Sequence, residues 1–271
     1  MKDLSTSLEQ DQPRTIGALD LRVGGTGQLR HLYQQGASKA LFARKRDGTE
    51  AIFINTSGGI TGGDQLDGYF ETSDTACLSV TTQGCERIYR SRACVNGTVD
   101  NRLVVRNQSS LFWLPQETLF YDGGHLERHL TIDVSSDATA LIVEPMLFGR
   151  IAMGEHHLSG NLQECISLSI DGQLAFQDAT HFSGNITQTL DRPAVLAGAR
   201  ATALVVFSSP IAGAVLPTIR DMLNETSGSS VTQDHLLIAR LIAPDGMTLR
   251  RMLVPIITML TQTDLPKTWR L

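Results

Sequence analysis

Apolar and polar residues alternate with a period of two through much of this chain, and that spacing constrains its fold more than any other feature. In Leu126–Val134, the residues Leu126, Leu130, Ile132 and Val134 share one face of an extended segment, while Glu127, His129, Thr131 and Asp133 share the other. Ala76, Leu78 and Val80 alternate with Cys77, Ser79 and Thr81; Ile166, Leu168 and Ile170 alternate with Ser167, Ser169 and Asp171. Successive side chains of a strand point to opposite faces, so each segment predicts a strand with one face buried and one wet.

Polar turn clusters separate these segments: Thr72–Thr75, Asn107–Ser110 and Ser135–Ala138. Each precedes an apolar run, and two of the runs then meet Pro115 and Pro145. The clusters recur at unequal spacings of 35 and 28 residues, which points to stacked hairpin units rather than a strict solenoid repeat. Strands recur from Asp20 to about Asp178 with no amphipathic helix of crossover length, so antiparallel or mixed β architecture is expected over a βαβ fold. Helices are expected only late, over Ile211–Glu225 and Met247–Thr261. The second places Leu249, Leu253, Ile256, Ile257 and Leu260 on one stripe, with Pro255 kinking it or ending it early. His235–Ala243 between them reads as a strand. The whole chain, 1–271, is expected to form one domain with a flexible tail over 1–13 and a partly helical region over 211–271.

With 41% hydrophobic and 19% charged residues the chain can build a real core. Its net charge of −5 argues against a nucleic-acid or anionic-membrane partner. The longest apolar stretch, Met252–Leu260, falls well short of the ~20 residues that a bilayer needs. The polar first dozen residues contain no apolar run of a signal peptide. Cys77, Cys85, Cys94 and Cys165 form no C-x-x-C pair and read as reduced thiols. A cytoplasmic protein is the expectation.

The densest motif is Asn55–Asp64, NTSGGITGGD. Gly58, Gly59, Gly62 and Gly63 imply positive φ or a backbone that something approaches closely. A phosphate cradle would need a Lys-Ser/Thr after the last glycine and a helix beyond it; Gln65–Glu71 reads instead as a strand. A tight turn that presents Asp64 at its end is the better account. His125 and His129 share one strand face, but Glu127 and Asp133 share their surroundings, and a solvated face outweighs a ligand pair. Glu155-His156-His157 defines no site alone, and neither a zinc motif nor a G-x-S-x-G nucleophile elbow occurs.

Several segments in order resemble the UreD family of urease accessory proteins, called UreH in some organisms. They are Gln35–Ala40, Asn55–Asp64, Thr81–Gln83 with Glu86–Ser91, Trp113–Thr118, Phe148–Arg150 with Met153–Glu155, and Leu265–Arg270. The series covers nearly the whole chain. Two departures are Gly84-Cys85, where two small residues are expected, and Glu164–Ser169, which lacks an expected aromatic. The resemblance implies a mainly β fold, with stacked sheets or a β-solenoid-like core and a few C-terminal helices. It implies a non-enzymatic chaperone without a tightly bound cofactor. Its implied partners are UreF, the GTPase UreG and the urease apoprotein, with UreE as nickel donor. It further implies a transient passage of Ni2+ through the protein toward the urease metallocentre. A passage needs dispersed oxygen ligands that release the ion again. Asp64, Glu144 and Glu155 are the candidates for it, each with an alternative role in holding a turn. Exposed apolar faces on the C-terminal helices are expected to serve docking.

Overall fold

The structure is a computed structural model that describes residues 13–44, 48–232 and 235–270, apart from the side chain of Arg44. Most of the tail expected over 1–13, residues 1–12, lies outside the described residues. Strands dominate, in two sheets. The first has seven strands in the order β14(Gln173–Asn185), β13(Ser159–Ile170), β11(Gly124–Val134), β8(Gly97–Val105), β5(Gln65–Thr72), β1(Ile16–Gly24) and β2(Gln28–Gly36). The second runs β16(Gly228–Thr232), β17(Leu236–Ala243), β15(Ala201–Ser208), β12(Thr139–Phe148), β9(Ser110–Leu114), β6(Cys77–Thr82), β4(Thr49–Asn55), β3(Ser38–Arg44). Two short strands, β7(Glu86–Ile88) and β10(Thr118–Phe120), join its margin.

The chain coils between the sheets. It passes from β5 to β6, returns to β8, crosses to β9, returns to β11 and crosses to β12. The neighbours within each sheet are parallel over this span. The polar clusters read as hairpin turns are therefore corners joining the two sheets, and the expectation of stacked hairpins is corrected. The corners stack on one another: Thr75 N–H donates to Asn107 O at 3.0 Å, Ser110 N–H to Ala76 O at 2.8 Å, and Thr139 N–H to Ser109 O at 3.0 Å. Such bonds satisfy corner backbone that would otherwise be orphaned. The spacing is uneven because the return corners differ in length and carry extra strands. Antiparallel pairs flank the parallel coil at both ends, so a mixed, β-solenoid-like arrangement is what forms.

The return corners build a third small stack. Ile60 bridges Ile88, and β7 pairs β10, which pairs the end of β12, so that Ile60, Ile88, Phe120 and Phe148 form one buried column. Apolar side chains thus fill the space between the sheets in two places. One cluster holds Phe70, Leu103, Trp113, Ile132 and Ile142; the other holds the Ile60–Phe148 column with Leu126 and Leu162.

A third cluster lies on the outer face of the second sheet, under α2(Ala212–Met222) and α3(Gly246–Thr261). A one-turn helix, α1(Ile186–Leu190), follows β14 and was not anticipated. Both faces of β6 are consequently buried, Ser79 and Thr81 included, so the wet face expected there does not exist. Asp245 caps α3 by accepting from Thr248 N–H at 2.8 Å. The helix continues through Pro255, which sits on the exposed side, because Leu249, Leu253, Ile256, Ile257 and Leu260 are packed beneath it. The exposed large apolar residues lie chiefly on β2 and β3 (Leu29, Tyr33, Leu41, Phe42) and on the return corners (Tyr89, Val95, Ile151, Met153), with Met247 at the start of α3 and Ile211 just before α2. Among the described residues no helix is long and apolar enough to cross a membrane.

Candidate functional site

The glycine segment forms the first return corner. Gly58, Gly59 and Gly63 take positive φ (80°, 155° and 87°), and a Cβ at Gly62 would run into the carbonyl oxygen of Val95. Strand β5 follows directly, so no helix N-terminus faces the loop. Asp64 is buried and spends both carboxylate oxygens on the turn. Oδ1 accepts from Thr15 N–H and Oδ2 from Thr61 N–H, each at 2.8 Å. Glu155 does similar work in a later corner, accepting from Arg150 N–H at 2.9 Å and Asp122 N–H at 3.2 Å. Burial pushes its carboxyl up, but these bonds and the Arg150 guanidinium outweigh that and hold it below the usual range. His156 and His157 lie in this loop rather than in a strand, and His129 is exposed and meets Glu127 at 3.2 Å. Among the described residues no three His, Cys, Asp or Glu side chains converge as a metal site.

Glu144 is placed differently, and the structure does not bring it together with Asp64 or Glu155. Between the two inter-sheet apolar clusters runs a polar band. On the first sheet, Arg128, Glu164 and Thr180 are neighbours in register; on the second, Glu144, Leu204 and Arg240 are. The Arg128 guanidinium donates from Nε to Glu164 Oε1 at 2.6 Å and from Nη1 to Thr118 Oγ1 at 3.0 Å. Nη1 also lies 3.1 Å from Glu144 Oε2. Glu144 Oε1 accepts from Trp113 Nε1 at 2.7 Å. Neither Glu144 Oε2 nor Arg128 Nη2 has an aligned hydrogen bond. Their close approaches are Coulombic contacts with poor direction. Toward the surface, Glu86 is held by Asn55 Nδ2 at 3.2 Å; at the far end Asp178 pairs with Arg240.

Three cavities follow the band. A surface cavity of about 370 Å3 opens among Asn55, Gly58, Cys85, Glu86 and Arg87. An inner one of about 60 Å3 shares Phe53, Thr82 and Glu86 with it and reaches Thr118, Arg128 and Glu144. A third of about 260 Å3 shares Glu144 and continues past Glu164, Asp178, Thr180 and Arg240. Burial pushes the Glu86 carboxyl above its ordinary range against the pull of Asn55. Burial, together with the charge of Glu164, does the same to Glu144 against the pull of Arg128. Burial alone would make Arg128 easier to discharge, but Glu144 and Glu164 keep it firmly protonated.

Arg128 and Glu164 escaped the sequence reading, yet their phase announces them. Arg128 is in step with Leu126 and Leu130, and Glu164 with Leu162 and Ile166, so both point into the core.

A family model described as UreD urease accessory protein matches residues 16–270. The chain belongs to the UreD family. Relatives named urease accessory protein UreD include that of Ruegeria pomeroyi, 42% identical over 91% of this chain and 96% of that protein. That of Roseobacter denitrificans is 39% identical over 99% of both chains, and that of Rhizobium etli is 36% identical over 91% of both. In this UreD-family chain, three of the segments that carried the resemblance meet in space. Trp269 Nε1 donates to Leu114 O at 2.9 Å, and the hydroxyls of Thr81 and Thr268 lie 2.9 Å apart. Arg250 of α3 bonds Gln116 and both oxygens of Glu117 and lies over the Trp269 ring. Trp113–Thr118 therefore faces two ways. Trp113 and Thr118 reach into the band, while Gln116 and Glu117 receive the C-terminal segment. Cys85 touches Glu117 at 3.5 Å; burial and that carboxylate push its thiol up to about 11.

Proposed function

We propose that this chain acts in urease maturation as a non-enzymatic cytoplasmic scaffold, joining UreF and the GTPase UreG to the urease apoprotein, with its polar band as the route for Ni2+ supplied by UreE. The observation that carries the reading is the run of three cavities with shared walls, marked out by Glu86, Glu144, Glu164 and Asp178. Ni2+ takes nitrogen and oxygen ligands, and a compact set of them would trap it. Carboxylates spaced along a channel, backed by amides and hydroxyls, bind at each point weakly enough to release the ion. Glu144 stands on the route where the inner and far cavities share a wall. Asp64 and Glu155 serve it indirectly, by fixing return corners.

The test is Glu144→Gln, co-expressed with UreF, UreG, UreE and the urease subunits, with nickel per urease measured by elemental analysis. The expected outcome is loss of most of the nickel while the accessory complex still copurifies with urease. Normal loading through an intact complex would overturn the passage and leave a purely structural adaptor.

A further inference from the structure

Arg128 is the cation at the middle of the band, and its surroundings are unbalanced. One guanidinium faces Glu144 and Glu164 and feels Glu86 beyond them. An ion pair built only to hold two sheets together would be expected to match charges and satisfy every donor and acceptor. Here Glu144 Oε2 and Arg128 Nη2 are both buried without an aligned hydrogen bond. The adjoining inner cavity, about 60 Å3, has room for only a few waters. Glu144 lines both that space and the far cavity of about 260 Å3, and the Arg128 guanidinium beside it borders the smallest of the three cavities. Glu164 borders the far cavity too. A shift of the guanidinium from Glu144 toward Glu164 would uncover Glu144.

We propose that Arg128 is a built-in competitor for the passing ion: its guanidinium neutralises Glu144 and Glu164 in the resting chain, prevents them from retaining a divalent cation, and yields its place when one enters. The inference rests on the band as an ion route but is tested on the chain's own affinity for nickel. A positive charge a few ångströms from two carboxylates weakens any cation bound between them. Its removal should tighten binding by roughly tenfold or more.

The experiment is equilibrium dialysis of the full chain against Ni2+ alone. Arg128→Met, similar in length but neutral, should retain one nickel ion at least about tenfold more tightly than wild type. The double change Arg128→Met with Glu144→Gln should lose that gain, and Arg128→Lys, which keeps the charge, should stay within about threefold of wild type. If Arg128→Met does not fold, Arg128→Gln, which keeps donors for Glu164 and Thr118, carries the same expectation. A folded neutral variant with wild-type nickel affinity overturns the inference. Failure here, with Glu144→Gln still blocking urease loading, would leave the passage standing. Tightened binding with normal loading by Glu144→Gln would remove the passage and leave the competition.

Discussion

Arg250 and Arg128 are both largely buried guanidiniums facing carboxylates, yet they are held in opposite ways. Arg250 meets one charge with one charge. Both oxygens of Glu117 accept from it, Gln116 adds a third acceptor, and the Trp269 ring lies beneath. Burial pushes the Glu117 carboxyl up, but the Arg250 bonds outweigh it and hold it below the ordinary range. Arg128 meets an excess of carboxylates beside a cavity, holds Glu144 Oε2 by charge without an aligned hydrogen bond, and does not bring Glu144 down from its raised value. The first arrangement ties the C-terminal segment and α3 to the second sheet. The second keeps acceptor capacity in reserve, which is what a transient cation needs and a structural clamp does not.

The comparison breaks most visibly on deleting each cation. Arg250→Met strands Glu117 in a buried site and should lower stability by about 3–5 kcal/mol in urea unfolding. Added nickel should restore none of it, because Glu117 alone offers a single carboxylate. Arg128→Met should also lose stability in metal-free buffer, but nickel at a hundredfold excess over its dissociation constant should return about 2.7 kcal/mol. Recovery in both variants, or in neither, would erase the distinction between clamp and reserve.

The fold was legible where one periodicity governed a segment. Leu126–Val134 gave its strand, and Met247–Thr261 its helix, because burial of one face selects a single period. The parallel coil was not legible, since Thr72–Thr75 or Ser135–Ala138 suits a corner between sheets as well as a hairpin; the partner strand is decided by contacts far apart in sequence. Of the band, only Glu144 was anticipated. Arg128 and Glu164 were hidden by the habit of reading alternation as apolar against polar, whereas their phase alone places them inside. That Arg128 would meet Glu144 follows from β11 and β12 lying in opposite sheets, a fact that no local pattern carries.

Asp64 tests the same contrast at smaller scale, because its charge is fully committed to two backbone N–H groups. Asp64→Ala should cost about 1–3 kcal/mol in thermal unfolding, the range for removing a buried cap, and Asp64→Asn, with one acceptor left, should cost less. Nickel delivered per folded complex should not change. A fall in urease nickel at unchanged stability would move Asp64 out of the corner and into the route.

The smallest effect is in pH, and its sign differs between the two arginine sites. Glu117 lies below its ordinary value of 4.5 when folded, so the stability it contributes is complete above 4.5 and lost as pH falls through the folded value. Glu144 lies above 4.5 when folded, so its contribution is complete below 4.5 and lost as pH rises through the folded value. Urea midpoints measured from pH 3 to 8 should therefore diverge. The advantage of wild type over Glu117→Gln should shrink toward acid, and its standing against Glu144→Gln should worsen toward neutral pH. A tenfold difference in proton affinity between folded and unfolded chains is worth about 1.4 kcal/mol, enough to resolve opposite slopes. Parallel slopes would mean that Arg128 draws the Glu144 carboxyl below its ordinary value as Arg250 draws that of Glu117, and the contrast between the two sites would be gone.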